Sequence, residues 1–232
     1  MGQPDITAAE RDAVYKTIFG RRDIRKHFTA EPIPVAMLGR ILKAAHHAGS
    51  VGYMQPWSFI VVDDVGVKAR VRESFLRERE AAAEKFDAER REKYLSYKLE
   101  GILESPLNIC VTCDRNRIPG EVIGRNSMRE TDVYSTVCAV QNLWLAARAE
   151  NIGVGWVSIL NRQDLHEILN IPPKHVIVAY LCLGYVSEFP EIPELEAAGW
   201  RSRLPLEDLV YFNQWNGKLP EIYRELAAAL KD

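Results

Sequence analysis

The chain has 232 residues, 47% hydrophobic and 27% charged, with a formal net charge of −2. That is enough for one sizeable core, and the near-neutral balance excludes a general nucleic-acid binder, whose surface has to be basic to displace counterions. The opening MGQPDITAAERD lacks the apolar stretch of a secretory signal and the longest apolar run, at 176–184, is too short for a bilayer, so a cytoplasmic protein without membrane or nucleic-acid partners is expected.

In chain order, Thr7 with Glu10 three residues on forms a capping box that opens a helix running to about Phe19, where Gly20 ends it. Pro34 suits the first turn of a second helix, which carries Met37, Leu38, Ile41, Leu42 and Ala45 at helical spacing. GSVGYMQPW (49–57) reads as a loop by its glycines and proline, and WSFIVVDD as a strand. Residues 66–104 form a highly charged helical region in which Phe75, Leu76, Phe86, Tyr94, Leu95, Tyr97 and Leu99 recur. It reads either as a solvated helical face or as an excursion with an aromatic underside that covers a pocket.

LNICVTC (107–113) is a buried strand on which Cys110 and Cys113 point to opposite faces, so the pair does not converge on a metal. After a polar loop at 114–130 comes a central helix. Val133, Val137, Val140, Leu143, Trp144 and Ala147 mark its apolar stripe. GVGWVSIL is a third strand, QDLHEILN a short helix, VIVAYLCLGYV a fourth strand and PEIYRELAAALKD (220–232) a last amphipathic helix. The interleaving supports an α+β or α/β layered domain spanning 1–232. No G-x-G-x-x-G joins a strand to a helix and the Walker A pattern is missing, so neither a Rossmann fold nor a P-loop is expected.

Three clusters could carry chemistry. RRDIR (21–25) and the late pair Arg201 and Arg203 present arginines, the usual bidentate partners of phosphate. GSVGYMQPWSF offers glycine backbone for close approach to a flat ligand, with Ser50 and Gln55 as hydrogen-bonding groups and Trp57 as a core residue. No clustered Cys or His completes a metal site, and spacing alone supports no Ser–His–Asp or Cys–His arrangement. Asp23 raises a question, because a carboxylate amid arginines weakens anion capture. It is either a salt bridge or turn cap, or a group with a chemical task of its own.

Together these stretches resemble the nitroreductase superfamily of FMN proteins. RRDIRKHF is similar to its R-x-[S/D]-x-R opening, GSVGYMQPWSF to its S-x-x-x-x-Q-P-W loop and RSRLPL to its late basic contact. More narrowly, Asp23, SVGYMQPW and Ser158 resemble the flavin-destroying branch, the 5,6-dimethylbenzimidazole synthases. The resemblance implies a homodimer with a mixed central sheet flanked by helices, exchanged terminal segments and flavin sites at the subunit interface. It assigns Arg21, Arg22 and Arg25 to the flavin's phosphate, ribityl chain and ring carbonyl, with Arg201 and Arg203 completing the phosphate site. Ser50, Val51, Gly52 and Gln55 would line the ring from the partner subunit, backbone near Ile159 and Leu160 would lie at its N5 edge, and 66–104 would be a lid.

In that branch reduced FMN is consumed with dioxygen, and a separate flavin reductase or free reduced FMN supplies electrons. Asp23 would be a base near the ribityl chain, with its arginine neighbours lowering its pKa. Ser158 would hydrogen-bond beside the ring, although by pattern it is a serine in a buried strand. Two other activities stay open: an NAD(P)H-dependent nitroreductase, and a reductive dehalogenase with a covered flavin. A non-catalytic FMN-binding protein is the third alternative.

Overall fold

Four strands organise the larger part of the chain. In a computed structural model, which describes residues 2 and 4–230, they are β1 (Trp57–Val62), β2 (Leu107–Asp114), β3 (Ile152–Val157) and β4 (His175–Tyr185), in the order β1-β2-β4-β3. The sheet lies in the first of two compact units, which divide between Glu191 and Ile192, where the sequence suggests one domain over 1–232. Every ladder is antiparallel, so the expected mixed sheet is corrected. Among the described residues parallel pairing is confined to one isolated bridge, Asp23 with Val154. There the Asp23 side chain takes the next free amide of β3, and the chain bends away at 25–26 before a ladder can form.

Alternation along the strands builds two cores. Ile109 and Val111 of β2, with Leu181 and Leu183 of β4, pack under α2 (Val35–His46) and α5 (Thr131–Ala149). Cys110, Tyr180 and Cys182 face the other way, against Val71 and Phe75 of α3 (Val65–Ala83) and Leu165 of α6 (Arg162–Ile168). This is the two-residue period of a sheet covered on both faces. Burial pushes the thiols of Cys110 and Cys182 up to about 12, so neither is a thiolate near neutrality. Leu143 is fully buried on α5, and truncating such a leucine to alanine costs about 2–5 kcal/mol.

Two expectations shift. The apolar stripe of α5 begins only at Ala139: Val137 is exposed, and Asp132, Ser135 and Thr136 take the buried positions of the first turns. The charged region 66–104 is not one excursion, because α3 buries Val71, Phe75 and Ala83 in the core. Only α4 (Ala88–Ser96) stands apart, burying Tyr94 alone, and Arg79 of α3 donates to the carbonyls of Leu95 and Tyr97 at its end. The first helix, α1 (Ala8–Gly20), has the expected capping box, with Thr7 N–H donating to Glu10 at 2.8 Å and Glu10 N–H to Thr7 at 3.4 Å, and it buries no residue.

The second unit holds α7 (Glu194–Ala197), a 3₁₀ turn at Leu206–Leu209 and α8 (Arg224–Ala229). Ring pairs Tyr211–Trp215 and Phe212–Tyr223 hold it together. The helix expected from Pro220 enters as a 3₁₀ turn at Glu221–Tyr223, and its last two residues, Lys231 and Asp232, lie outside the described residues. No described helix is long and apolar enough to cross a membrane.

Candidate functional site

The 21–25 turn is pressed against the edge of the sheet. Ile24 is fully buried and its N–H donates to Val154 at 3.0 Å. Gly155 opposite it is obligatory, since a Cβ there would lie 2.0 Å from the Ile24 carbonyl oxygen. This approach carries Asp23 to Trp156, whose N–H donates to Oδ1 at 2.8 Å, while Oδ2 pairs with the Arg25 guanidinium. Burial raises the Asp23 pKa above the ordinary carboxylate value, outweighing Arg25, the Trp156 amide and Arg21, which pull it down. That corrects the expectation of a lowered value. Two guanidinium groups and a backbone amide do not compensate for the lost hydration of the carboxylate.

The three arginines differ. The Arg21 guanidinium lies 4.4 Å from the centroid of the Trp144 ring. Arg22 donates to the carbonyls of Phe19 at 2.7 Å and Arg21 at 2.8 Å, and also to Glu191, closing the C-terminal end of α1. Arg25 pairs with Asp23 but keeps its Nε buried without a protein partner, as does Arg22. A buried donor left this way calls for an acceptor.

The second element is the 50–55 loop. It makes a 3₁₀ turn at Val51–Tyr53 with Gly52, Tyr53 and Gln55 at φ of 57, 54 and 47°. For Tyr53 and Gln55 this left-handed conformation costs about 1–2 kcal/mol each. Inside the loop, Gln55 N–H donates to Ser50 Oγ at 3.2 Å. Trp57 is buried as expected, and its Nε1–H donates to His46 Nδ1 at 3.1 Å. Gln55, Trp57, His46 and Arg117 line a cavity of about 520 Å³ beside the loop.

Ser158 is not in a strand. It lies one residue past β3, is exposed, and lines a cleft of about 130 Å³ with Trp156, Leu160 and Arg162. Ile159 and Leu160 are half-buried against the second core. Arg201 and Arg203 belong to the second unit and are exposed, with Arg203 N–H donating to Glu196 at 3.4 Å. The fold thus joins Asp23 and Arg25 to the strand end that leads to Ser158, and keeps Ser50, Val51, Gly52 and Gln55 in a separate turn.

Sequence reading missed what stands behind that turn. Val51 N–H donates to Ser135 Oγ of α5 at 3.2 Å, and Arg115 pairs at 2.8 Å with buried Asp132. Polar residues at 132, 135 and 136, helically spaced in line with the apolar stripe, were the available signal. Among the described residues no group of three or more Cys, His, Asp or Glu is placed to hold a metal.

Residues 18–185 match the nitroreductase family. The chain belongs to the nitroreductase family. The matched span includes the 21–25 turn, the 50–55 loop and Ser158, and stops short of Arg201 and Arg203. Within the family, a Rhodospirillum rubrum protein named 5,6-dimethylbenzimidazole synthase is 43% identical over 195 residues, covering 84% of this chain and 92% of that one. A Rhodobacter capsulatus protein of the same name is 40% identical over 197 residues, covering 85% and 95%. The nitroreductase-family fold is also shared with a crystal structure of oxidized iodotyrosine deiodinase bound to FMN and 3-iodo-L-tyrosine, at a TM-score of 0.68, 21% identity and coverage of 87% and 99%.

Proposed function

We propose that this protein is a 5,6-dimethylbenzimidazole synthase that fragments reduced FMN with dioxygen, giving 5,6-dimethylbenzimidazole and erythrose 4-phosphate. The likeness to relatives of that name over more than four-fifths of the chain carries the reading. The local chemistry fits the flavin. The buried, unpartnered Arg25 Nε is a donor for one of its oxygens, and the turn at Gly52 exposes backbone to a flat ring. Reduced FMN supplies both the electrons and the carbon skeleton that is cut, with dioxygen as co-substrate.

Asp23 acts as base. Its raised pKa makes it a stronger proton acceptor than a free carboxylate, and Arg25 and the Trp156 amide hold its oxygens in place. Ser158, exposed at the end of β3, offers a hydroxyl to the ring side of the site. Arg21 and Arg25 bind the anionic end, and Arg22 sets the backbone between them by holding three carbonyls. Ser50, Val51, Gly52 and Gln55 line the ring and the backbone at Ile159 and Leu160 its N5 edge. Assignment of Arg201 and Arg203 to the phosphate rests on the resemblance alone.

Three further elements belong to the proposal. The α4 region covers the site and excludes water. The protein is a homodimer, supported by an α1 that buries nothing and leaves Val14 and Phe19 53% and 70% exposed. It works in the cytoplasm, where its four free cysteines stay reduced, and a separate flavin reductase provides reduced FMN.

The test is to mix protein and reduced FMN anaerobically, admit oxygen, and analyse the small molecules by chromatography and mass spectrometry. Dimethylbenzimidazole with loss of flavin supports the proposal. Intact oxidised FMN as the only flavin species sinks it and leaves nitroaromatic and haloaromatic reduction, or plain flavin binding, to be tried.

A further inference from the structure

The 50–55 loop holds three residues at positive φ, Gly52, Tyr53 and Gln55, two of them not glycine. Such a conformation persists only where surrounding structure over-determines it. The loop's own bonds are few: Gln55 N–H to Ser50 Oγ, the Gln55 side-chain amide to the Tyr53 carbonyl at 3.3 Å, and the amides of Tyr53 and Met54 to the carbonyls of Ser50 and Val51 at 3.0 and 3.2 Å. What holds it comes from outside.

Ser135 is 3% exposed, in the second turn of α5. Its hydroxyl donates to the Thr131 carbonyl at 2.6 Å, so its one proton is committed along the helix. Only lone pairs remain for the loop, and one of them accepts the Val51 N–H at 3.2 Å. From the other side the 122–124 segment closes on the turn. A Cβ on Gly52 would meet Val122 Cγ1 at 2.5 Å and the Ile123 carbonyl oxygen at 2.7 Å, and one on Gly124 would meet Val51 Cγ1 at 2.8 Å. That segment is itself tied down: Arg115 bonds Asp132 at 2.8 Å and the Arg129 carbonyl at 2.8 Å, and Arg125 bonds the Arg115 carbonyl at 2.9 Å.

We infer that Ser135 is a positioning residue for flavin binding: its hydroxyl sets the Val51–Gln55 backbone that receives the isoalloxazine ring, with Val122–Gly124 as the opposing wall. The inference rests on the proposed flavin site. Without the hydroxyl, the Val51 amide has no partner from α5 and the strained turn loses the contact that selects it. The effect falls on the ring and not on the phosphate end, because outside its own helix the Ser135 hydroxyl bonds only the loop.

The experiment compares wild type with Ser135→Ala by titrating FMN and riboflavin separately, following quenching of flavin fluorescence, with circular dichroism as the control for folding. The expected result is about tenfold weaker binding of both flavins, the scale of one lost buried hydrogen bond, with the ratio between them unchanged. Unchanged affinity for both in a folded variant overturns the inference, as does a loss confined to FMN. Should the variant not fold, native-state hydrogen exchange on the wild type decides: strong protection of the Val51 amide upholds the contact and free exchange refutes it. Wild type that binds neither flavin defeats the flavin reading itself, and the exchange result then still decides whether Ser135 holds the loop.

Discussion

The 21–25 turn and the 50–55 loop are assigned to the same ligand, yet they are built in opposite ways. In the turn the side chains carry the charge, and protein already occupies much of their bonding capacity: Arg22 holds three carbonyls, and Asp23 is divided between Arg25 and Trp156. In the loop the side chains matter less than a left-handed backbone held by Ser135 and by the 122–124 wall. A substitution in the turn should therefore change chemistry at nearly constant shape. One around the loop should change shape at constant charge.

The largest expected effect tests the first half of that contrast. Asp23→Asn keeps an acceptor for the Trp156 amide but removes the base, and product formation should fall by about 10²–10⁴-fold while FMN still binds. A fall in flavin binding of the same size would place Asp23 with the shape-holding residues instead.

The pH dependence follows from the same group. Burial raises the Asp23 pKa above 3.8, so the rate should climb with pH through a value higher than that of a free carboxylate. Stability runs the other way. A raised pKa means that the folded state binds the proton more tightly, so this contribution is full below 3.8 and is lost as pH rises through the folded value. Chemical denaturation of wild type and Asp23→Asn across that window should show the decline in the wild type alone.

Gly52→Ala tests the loop. With φ at +57° and a new Cβ 2.5 Å from Val122, the variant should lose about 1–2 kcal/mol of stability by denaturant titration and bind flavin more weakly. Normal binding with normal stability would mean that the wall yields, and the comparison between turn and loop would fail.

The smallest effect on flavin should come from Arg22→Ala. Its two Nη groups serve backbone carbonyls and only Nε is unpartnered, so thermal stability should drop while FMN affinity, measured by fluorescence, stays close to wild type. A large loss of affinity would return Arg22 to direct contact with the ligand and make the turn's three arginines alike.

Much of the fold was legible in the sequence where neighbours along the chain decide the outcome. Thr7 and Glu10 meet across one helical turn, and Cys110 and Cys113 diverge because strand side chains alternate. The candidate site was legible as motifs but not as a set of roles. Nothing in RRDIR separates Arg22, whose guanidinium closes α1, from Arg25, whose guanidinium pairs with Asp23. The Asp23 pKa was misjudged because charge can be counted along a sequence and burial cannot.

The sequence by itself determined most elements between residues 7 and 185, the alternation that gives the sheet two covered faces, and the arginines proposed to hold a phosphate-bearing ligand. Tertiary structure alone decided which half of 66–104 is core, that Ser158 stands beyond its strand, and that Ser135 and the 122–124 segment shape a loop more than 65 residues away. The reason is physical. Hydrogen-bond partners within a helical turn or along one strand are set by the local backbone repeat, whereas desolvation and close packing depend on which distant segments the folded chain presses together.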